Sequence, residues 1–291
     1  MGLTWGIVAA VLCGALLHAL WNTLVKSSGD KELDTALVHF VGALVALPLL
    51  LLVGLPPWAA WPYIATSLTV HVAYYITLAG AYQHGELGMT YPIMRGTAPL
   101  LVTLGSSAVM GETLSPLAWA GVLGVTGGVA LVGLAHPGQA LHHRRALAYA
   151  LANAVVIATY TFVDGKGVRL TAAAGAATMS YVTLLFVLDG LPYPALVAFQ
   201  RGPEGRRAMR AYARRRWPLA ALGGAASLGS YGIALWAMTR APVAVVSALR
   251  ETSVLFATAL SVFVLKERFG RQRLLGAGII VAGVVALRLS H

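Results

Sequence analysis

Apolar residues run along the chain in long blocks, interrupted by short polar stretches and by glycine or proline clusters. About 20 consecutive apolar residues in helical form cross a hydrocarbon core of ~30 Å. Breaking the blocks at charges and at Gly and Pro clusters predicts helices near residues 3–25, 33–54, 60–82, 87–110, 115–134, 146–165, 174–199, 216–239, 243–265 and 271–288. Several breaks have visible chemistry. Pro56-Pro57 follows the second helix, and at Ser115-Pro116 a serine can cap the fifth helix while a proline takes its first position. Residues 200–216 read as the one substantial loop. The expected fold class is an all-α membrane protein of ten transmembrane helices around a central cavity.

Composition strengthens that picture. The 291 residues are 58% hydrophobic and 11% charged, with a mean hydropathy of +0.75, which leaves no room for a soluble domain. The first block lacks a basic leader and is too long for the apolar core of a signal peptide, so it reads as a retained helix. The single cysteine, Cys13, lies in that block, which excludes an intrachain disulfide framework and suggests a buried, inert thiol.

A net charge of +11 is compatible with nucleic-acid binding, but the basic residues fall in short connections between apolar blocks, as a topology signal does. Fifteen lie on one side: Lys26, Lys31, Arg144, Arg145, seven arginines from Arg201 to Arg216, and Lys266, Arg268, Arg271 and Arg273. Four lie on the other: Lys166, Arg169, Arg240 and Arg288. The positive-inside rule then sets both termini in the periplasm and the arginine-rich segment in the cytoplasm, in the cytoplasmic (inner) membrane of a bacterium. That segment also suits anionic lipid headgroups.

Arg95 and Arg250 fit neither side, because each lies about eight residues inside its helix. They also mark an internal repeat. An offset of 155 aligns Arg95 with Arg250, Thr97 with Thr252, Leu100 with Leu255, Thr103 with Thr258, Ser106 with Ser261, Val109 with Val264 and Glu112 with Glu267. Gly121 then meets Gly276, and Gly128 meets Gly283. Each half holds an odd number of spans, so the second enters the membrane from the opposite side. Such inverted repeats supply two nearly equivalent packings and underlie alternating access around a midplane site.

This layout resembles the drug/metabolite transporter superfamily, specifically its bacterial EamA family. The resemblance rests on Tyr91-Pro92-Ile93, Pro99, Gly111-Glu112 with Ser115-Pro116, and Lys266-Glu267-Arg268. It implies two EamA-like five-helix repeats, residues 1–135 and 144–291, a central cavity, and export of amino acids or related metabolites. Many members of the family have cytoplasmic termini, whereas the charge count here points the other way.

Intramembrane guanidinium groups need a carboxylate, backbone carbonyls or an anionic substrate. Arg95 and Arg250 therefore lead the substrate-binding candidates, with Glu251 as a partner; a purely structural pairing of the two helices is the alternative. His18, Trp21 and Asn22 share one face of the first helix, and His71, Tyr74 and Tyr75 one face of the third, which suits a cavity wall or an aromatic helix contact. Both histidines are candidates for shuttling protons, a use to which imidazole is suited near neutral pH. Tyr91 and Ser247 lie about a turn before the arginines. Pro92 and Pro99 bend the fourth helix, as a hinge or a packing kink. Tyr160 and Asp164 share a face of the sixth helix, and Tyr231 and Trp236 lie in the eighth. Glu112 and Glu267 suit helix capping or pairing with a nearby cation. Gly121, Gly124, Gly128, Gly276 and Gly283 suit close packing of the fifth and tenth helices.

No cofactor, metal cluster, phosphate-binding loop or nucleophile triad is expected. The expected partners are a small-molecule substrate and the lipid bilayer, with no nucleic acid and a monomer as the unit. A secondary transporter of zwitterionic or anionic metabolites is the leading reading. A pump for lipophilic cations would use an unpaired Glu251, and a membrane enzyme would use His18, His71 and Glu251 as acid–base groups. A scaffold would leave Arg95, His18 and His71 touching protein alone.

Overall fold

The computed structural model describes residues 2–26, 30–85, 87–133, 143–265 and 270–290. The Lys266-Glu267-Arg268 motif and the expected repeat boundary at 135 lie outside the described residues. The regular elements are α1 (Trp5–Lys26), α2 (Lys31–Val53), a 3-10 turn (Trp58–Ala60), α3 (Trp61–His84), α4 (Leu87–Met110), α5 (Pro116–Gly133) and α6 (Arg144–Ala173). They continue as α7 (Thr178–Asp189), α8 (Pro192–Gln200), α9 (Gly202–Met238), α10 (Val243–Arg250), α11 (Ser253–Leu265) and α12 (Arg271–Leu289). Among the described residues, ten stretches are long and apolar enough to cross a membrane, α7 with α8 and α10 with α11 each forming one. The protein is an all-α membrane protein.

Local chemistry explains the ends. Asp30 caps α2 by accepting from the Leu33 amide at 3.0 Å, and Gly54 closes that helix at φ +77 with its own N–H on the Leu50 carbonyl. Ser115 accepts from the Ala118 amide at 3.2 Å and Pro116 opens α5, as the sequence suggests.

Four expectations are corrected. The sixth helix does not stop at residue 165 but runs to Ala173. The glycines of Gly165-Lys166-Gly167 serve close packing instead of a break: a Cβ at Gly167 would lie 2.4 Å from the Tyr181 ring. The stretch 200–216 is not a loop, since α9 starts at Gly202. Its alanines and arginines are good helix formers, and a helix outside the hydrocarbon has no need to be apolar. At 37 residues and ~1.5 Å each, α9 is longer than the core requires. The seventh span is divided at Gly190-Leu191 ahead of Pro192, and the ninth at Glu251-Thr252. Finally, Cys13 is exposed on α1, not buried, because an apolar block does not distinguish a lipid-facing from a protein-facing side.

Leu51, Leu52, Ile76 and Phe199 project outward, which is the surface that lipid covers. Inside, residues Val243 to Leu249 of α10 are all buried, and Leu235 and Met238 of α9 join the same core. Helices α5 and α12 pack most closely of all. A Cβ at Gly121 would meet Leu287 at 2.7 Å, one at Gly283 the Gly121 carbonyl at 2.8 Å, and one at Gly128 the Gly276 carbonyl at 2.8 Å. Under the 155-residue offset the pair Gly121 with Gly283 becomes Gly276 with Gly128, so the contact is reciprocal, as a two-fold axis requires.

Candidate functional site

The two repeat-related arginines come together near the middle of the helix bundle. Arg95 on α4 is 8% exposed, Glu251 3%, and the Arg95 Nε lies 3.3 Å from a Glu251 carboxylate oxygen. That approach is off hydrogen-bond alignment, so both atoms lack a hydrogen-bond partner among the described residues. Arg95 Nη2 donates to His18 Nε2 on α1, and its guanidinium lies 5.8 Å from the Tyr91 ring centroid one turn away. Trp21 Nε1 points at the other ring nitrogen of His18 from 3.3 Å. A neutral imidazole has one acceptor nitrogen, so a single tautomer accepts from only one of these two donors.

Arg250 ends α10 and stacks its guanidinium 5.2 Å from the Tyr231 centroid on α9. It acts electrostatically on His18, Tyr160 and Glu251. The chain leaves the helical path at Glu251-Thr252 through short-range turns, with Thr252 Oγ1 donating to the Leu249 carbonyl at 2.7 Å. In α4, Pro99 has no N–H for the carbonyl of Arg95 four residues earlier, which releases that acceptor beside the guanidinium. Pro92 packs against Gly133 of α5, where a Cβ would lie 2.1 Å from its ring. Ser247 is buried three residues before Arg250.

A second polar group adjoins the first through Tyr231. Its hydroxyl donates to Asp164 of α6, which also accepts from Tyr181 of α7 at 2.8 Å and from Ser67 of α3. Asp164 is fully buried. His71 Nδ1 donates to the Ser67 carbonyl at 2.8 Å, and its ring stacks on Tyr160 with centroids 4.8 Å apart. Tyr74 meets Tyr160 edge-on at 6.2 Å, closing an aromatic wall toward Tyr91.

Other sequence candidates lie elsewhere. Asn22 bonds back to the His18 carbonyl at 2.8 Å within its own helix. Tyr75 turns toward α7 and α8, donating to Asp189 at 3.2 Å and stacking on Tyr193 at 5.1 Å. Trp236 lies under Arg240, 4.6 Å from the guanidinium, and lines a cleft of about 500 Å³ with Ala172, Met179 and Thr239. The spacing of His71, Tyr74 and Tyr75 therefore divides between two neighbourhoods.

The role of Asp164 is larger than the sequence suggests. An expected helix end at 165 set it beside a boundary, whereas the helix carries it through the core; the usable signal was an acid within an apolar block. Glu112 does both things open to it. It pairs with Arg169 at 2.5 Å, and it accepts from the Val243 amide with both oxygens at 3.0 Å, capping α10 instead of α5. On the opposite, basic face, Arg201 bonds Asp30 and Glu32, and Arg216 with Tyr212 bonds the buried Asp34. Burial works to raise the Asp30 carboxyl, but the Arg201 hydrogen bond outweighs it and holds the group below its usual range.

A crystal structure of a protein 21% identical to this chain superposes with a TM-score of 0.71, covering 97% of this chain and 99% of the other; at that identity the likeness is one of fold. The family model described as the EamA-like transporter family matches residues 144–289, half of the chain. With that match carried on ten apolar spans, the chain belongs to the EamA-like transporter family and is a multi-pass membrane transporter of the drug/metabolite type.

Proposed function

We propose that the protein is a secondary active transporter that exports small zwitterionic or anionic metabolites, such as amino acids, by alternating access. In this reading residues 1–135 and 144–291 are the two inverted repeats, the membrane is the bacterial cytoplasmic membrane, and the termini are periplasmic. The single observation that carries the substrate class is the imbalance at the site. Arg95 and Arg250 act on one carboxylate, Glu251, which Arg95 meets without a hydrogen bond, while Arg95 and Trp21 both direct donors at the single imidazole of His18. A substrate carboxylate or phosphate supplies the acceptors that the site lacks. Tyr91 lies beside the Arg95 guanidinium and Tyr74 packs on Tyr160 nearby, and the Pro92 and Pro99 positions give α4 its bending points.

A pump for lipophilic cations would use an unpaired Glu251, whereas Glu251 is paired with Arg95 at 3.3 Å. The test is uptake by proteoliposomes of labelled amino acids, organic phosphates and lipophilic cations, comparing wild type with Arg95→Ala and Arg250→Ala. Arg250→Ala is the cleaner variant, since it leaves the Arg95–Glu251 pair intact. Loss of a charge-assisted contact at a buried site amounts to ~2–5 kcal/mol, so amino-acid or phosphate flux at low concentration should fall at least about 30-fold. Cation flux indifferent to both substitutions would defeat the reading.

A further inference from the structure

Arg95, Glu251, Arg250 and Asp164 form one charged group inside the bundle, apart from Asp189 of the seventh span, which is held by Tyr75. Arg95 faces Glu251, and Arg250 faces Tyr231, whose hydroxyl runs on to Asp164. With both carboxylates ionised the two arginines are balanced, and a proton added to one carboxylate leaves the interior with one excess positive charge. Uncompensated charge in a low-dielectric interior is costly, so a proton and a monoanion stabilise each other there.

The two carboxylates differ in their surroundings. Glu251 has a guanidinium in contact at 3.3 Å, an arrangement that suits the ionised form alone. Asp164 is met by hydroxyls: Tyr181 from α7, Tyr231 from α9 and Ser67 from α3. A hydroxyl donates to a carboxylate and, once rotated, accepts from a carboxylic acid, so this shell accommodates both states without repacking. The other titratable or charged groups around it are His71 on α3, whose Nδ1 is committed to the Ser67 carbonyl, and Tyr160 and Lys166 on α6 itself. Lys166 is turned ~200° round the helix from Asp164. Arg250 is reached through the Tyr231 ring.

We propose that Asp164 is the proton-binding site of the transport cycle, and that one proton on its carboxyl travels with one monoanionic substrate held at Arg250, an electroneutral co-transport. The inference rests on the arginine-centred reading above and sharpens it to substrates of net charge −1. The balance is simple: the proton enters the Asp164 carboxylate from one aqueous side and leaves to the other, the anion makes the same passage, and no net charge crosses. Because proton and anion move the same way, the alkaline compartment draws the anion in, so export runs down a metabolite gradient large enough to outweigh an inward pH gradient, whatever the membrane potential.

The probe is labelled L-glutamate, an amino acid with a net charge of −1 near neutral pH, in proteoliposomes of the full chain. Wild type should accumulate it toward the alkaline compartment, about tenfold per unit of pH difference, with no response to an imposed potassium-diffusion potential. Asp164→Asn, an uncharged mimic of the acid form, should lose pH-driven accumulation while glutamate–glutamate exchange stays within about threefold of wild type. Tyr231→Phe keeps the ring under Arg250 and removes one hydroxyl, so it should move the pH midpoint of transport and spare exchange. Unchanged pH-driven accumulation in Asp164→Asn would overturn the proposal. So would uncoupling by Glu251→Gln in its place, a marked response to membrane potential, or loss of exchange together with accumulation in a folded Asp164→Asn protein.

Should wild type carry none of the anions, the arginine-centred reading fails by itself, and infrared difference spectroscopy then reads the proton site independently. A protonated-carboxyl band that grows as the pH is lowered and is absent from Asp164→Asn supports the site; a band unchanged in that variant removes it.

Discussion

Glu112 joins three helices at the face that carries the termini, and removing it gives a quantitative test of how the bundle is closed there. Its carboxylate pairs with Arg169 of α6 at 2.5 Å and takes the Val243 amide on both oxygens at 3.0 Å, while Arg169 also donates to the Met238 and Ala241 carbonyls at 2.7 and 3.1 Å. The Glu112 side chain is 11% exposed and that of Arg169 29%, so the pair is sheltered but not dry. Glu112→Ala removes a helix cap worth about 1 kcal/mol and one side of an ion pair whose full burial would make the loss ~3–5 kcal/mol. Arg169 keeps its two carbonyls, which lowers the second figure, and the net expectation is about 2–4 kcal/mol. Arg169→Met should lose a similar amount, because three acceptors forfeit a donor. The double variant should lose less than the sum by ~1–3 kcal/mol, since the two residues share one interaction. Reversible unfolding in mixed micelles measures all three. Additive losses, within about 0.5 kcal/mol, would refute the idea that the capping carboxylate and the guanidinium act as a unit.

The α5–α12 seam offers a sharper contrast. Gly128→Ala sets a methyl 2.6 Å from Ile280 and 2.8 Å from the Gly276 carbonyl, an overpacking expected to reduce stability by ~1–3 kcal/mol, whereas Gly127→Ala points into open space and should be neutral in the same thermal-unfolding assay. At the basic face the Asp30 carboxyl lies below its unfolded value, so its bond to Arg201 contributes fully above about pH 4 and is lost as pH falls through the folded value. Arg201→Gln should flatten that part of the acid-unfolding profile by less than ~1 kcal/mol, both partners being partly exposed, and an unaltered acid limb would contradict the pairing.

The apolar blocks made the ten spans legible, because lipid demands long uninterrupted runs and the chain has them. Helix ends outside the bilayer were less so: the arginines ahead of Arg216 read as a loop by charge, although they continue α9 beyond the hydrocarbon. The site was legible where the repeat doubled a rare residue. Arg95 and Arg250 stood out in this way, and the one-turn spacing of Tyr91 and of the His18–Trp21 pair brought them to the same place. Tyr75 was drawn in by its spacing from His71 and Trp236 by residue type, but neighbouring side chains on one helix leave toward different partners. Asp164, Tyr181 and Tyr231 lie on three different helices, a convergence that no local spacing encodes.

The glycine seam has a consequence for how the two halves can change over generations. Each half serves as the mould of the other there, since the contact of Gly121 with Gly283 is repeated as that of Gly276 with Gly128. A bulkier residue on either side displaces the opposite backbone, so the halves are bound to keep a common shape at the seam. Away from it they are free to specialise, and they have done so: the residue after Arg95 is Gly96, and the residue after Arg250 is Glu251. A scaffold held symmetric by its joint thus carries a chemistry that is lopsided, an acid following one arginine of the repeated pair and a glycine following the other.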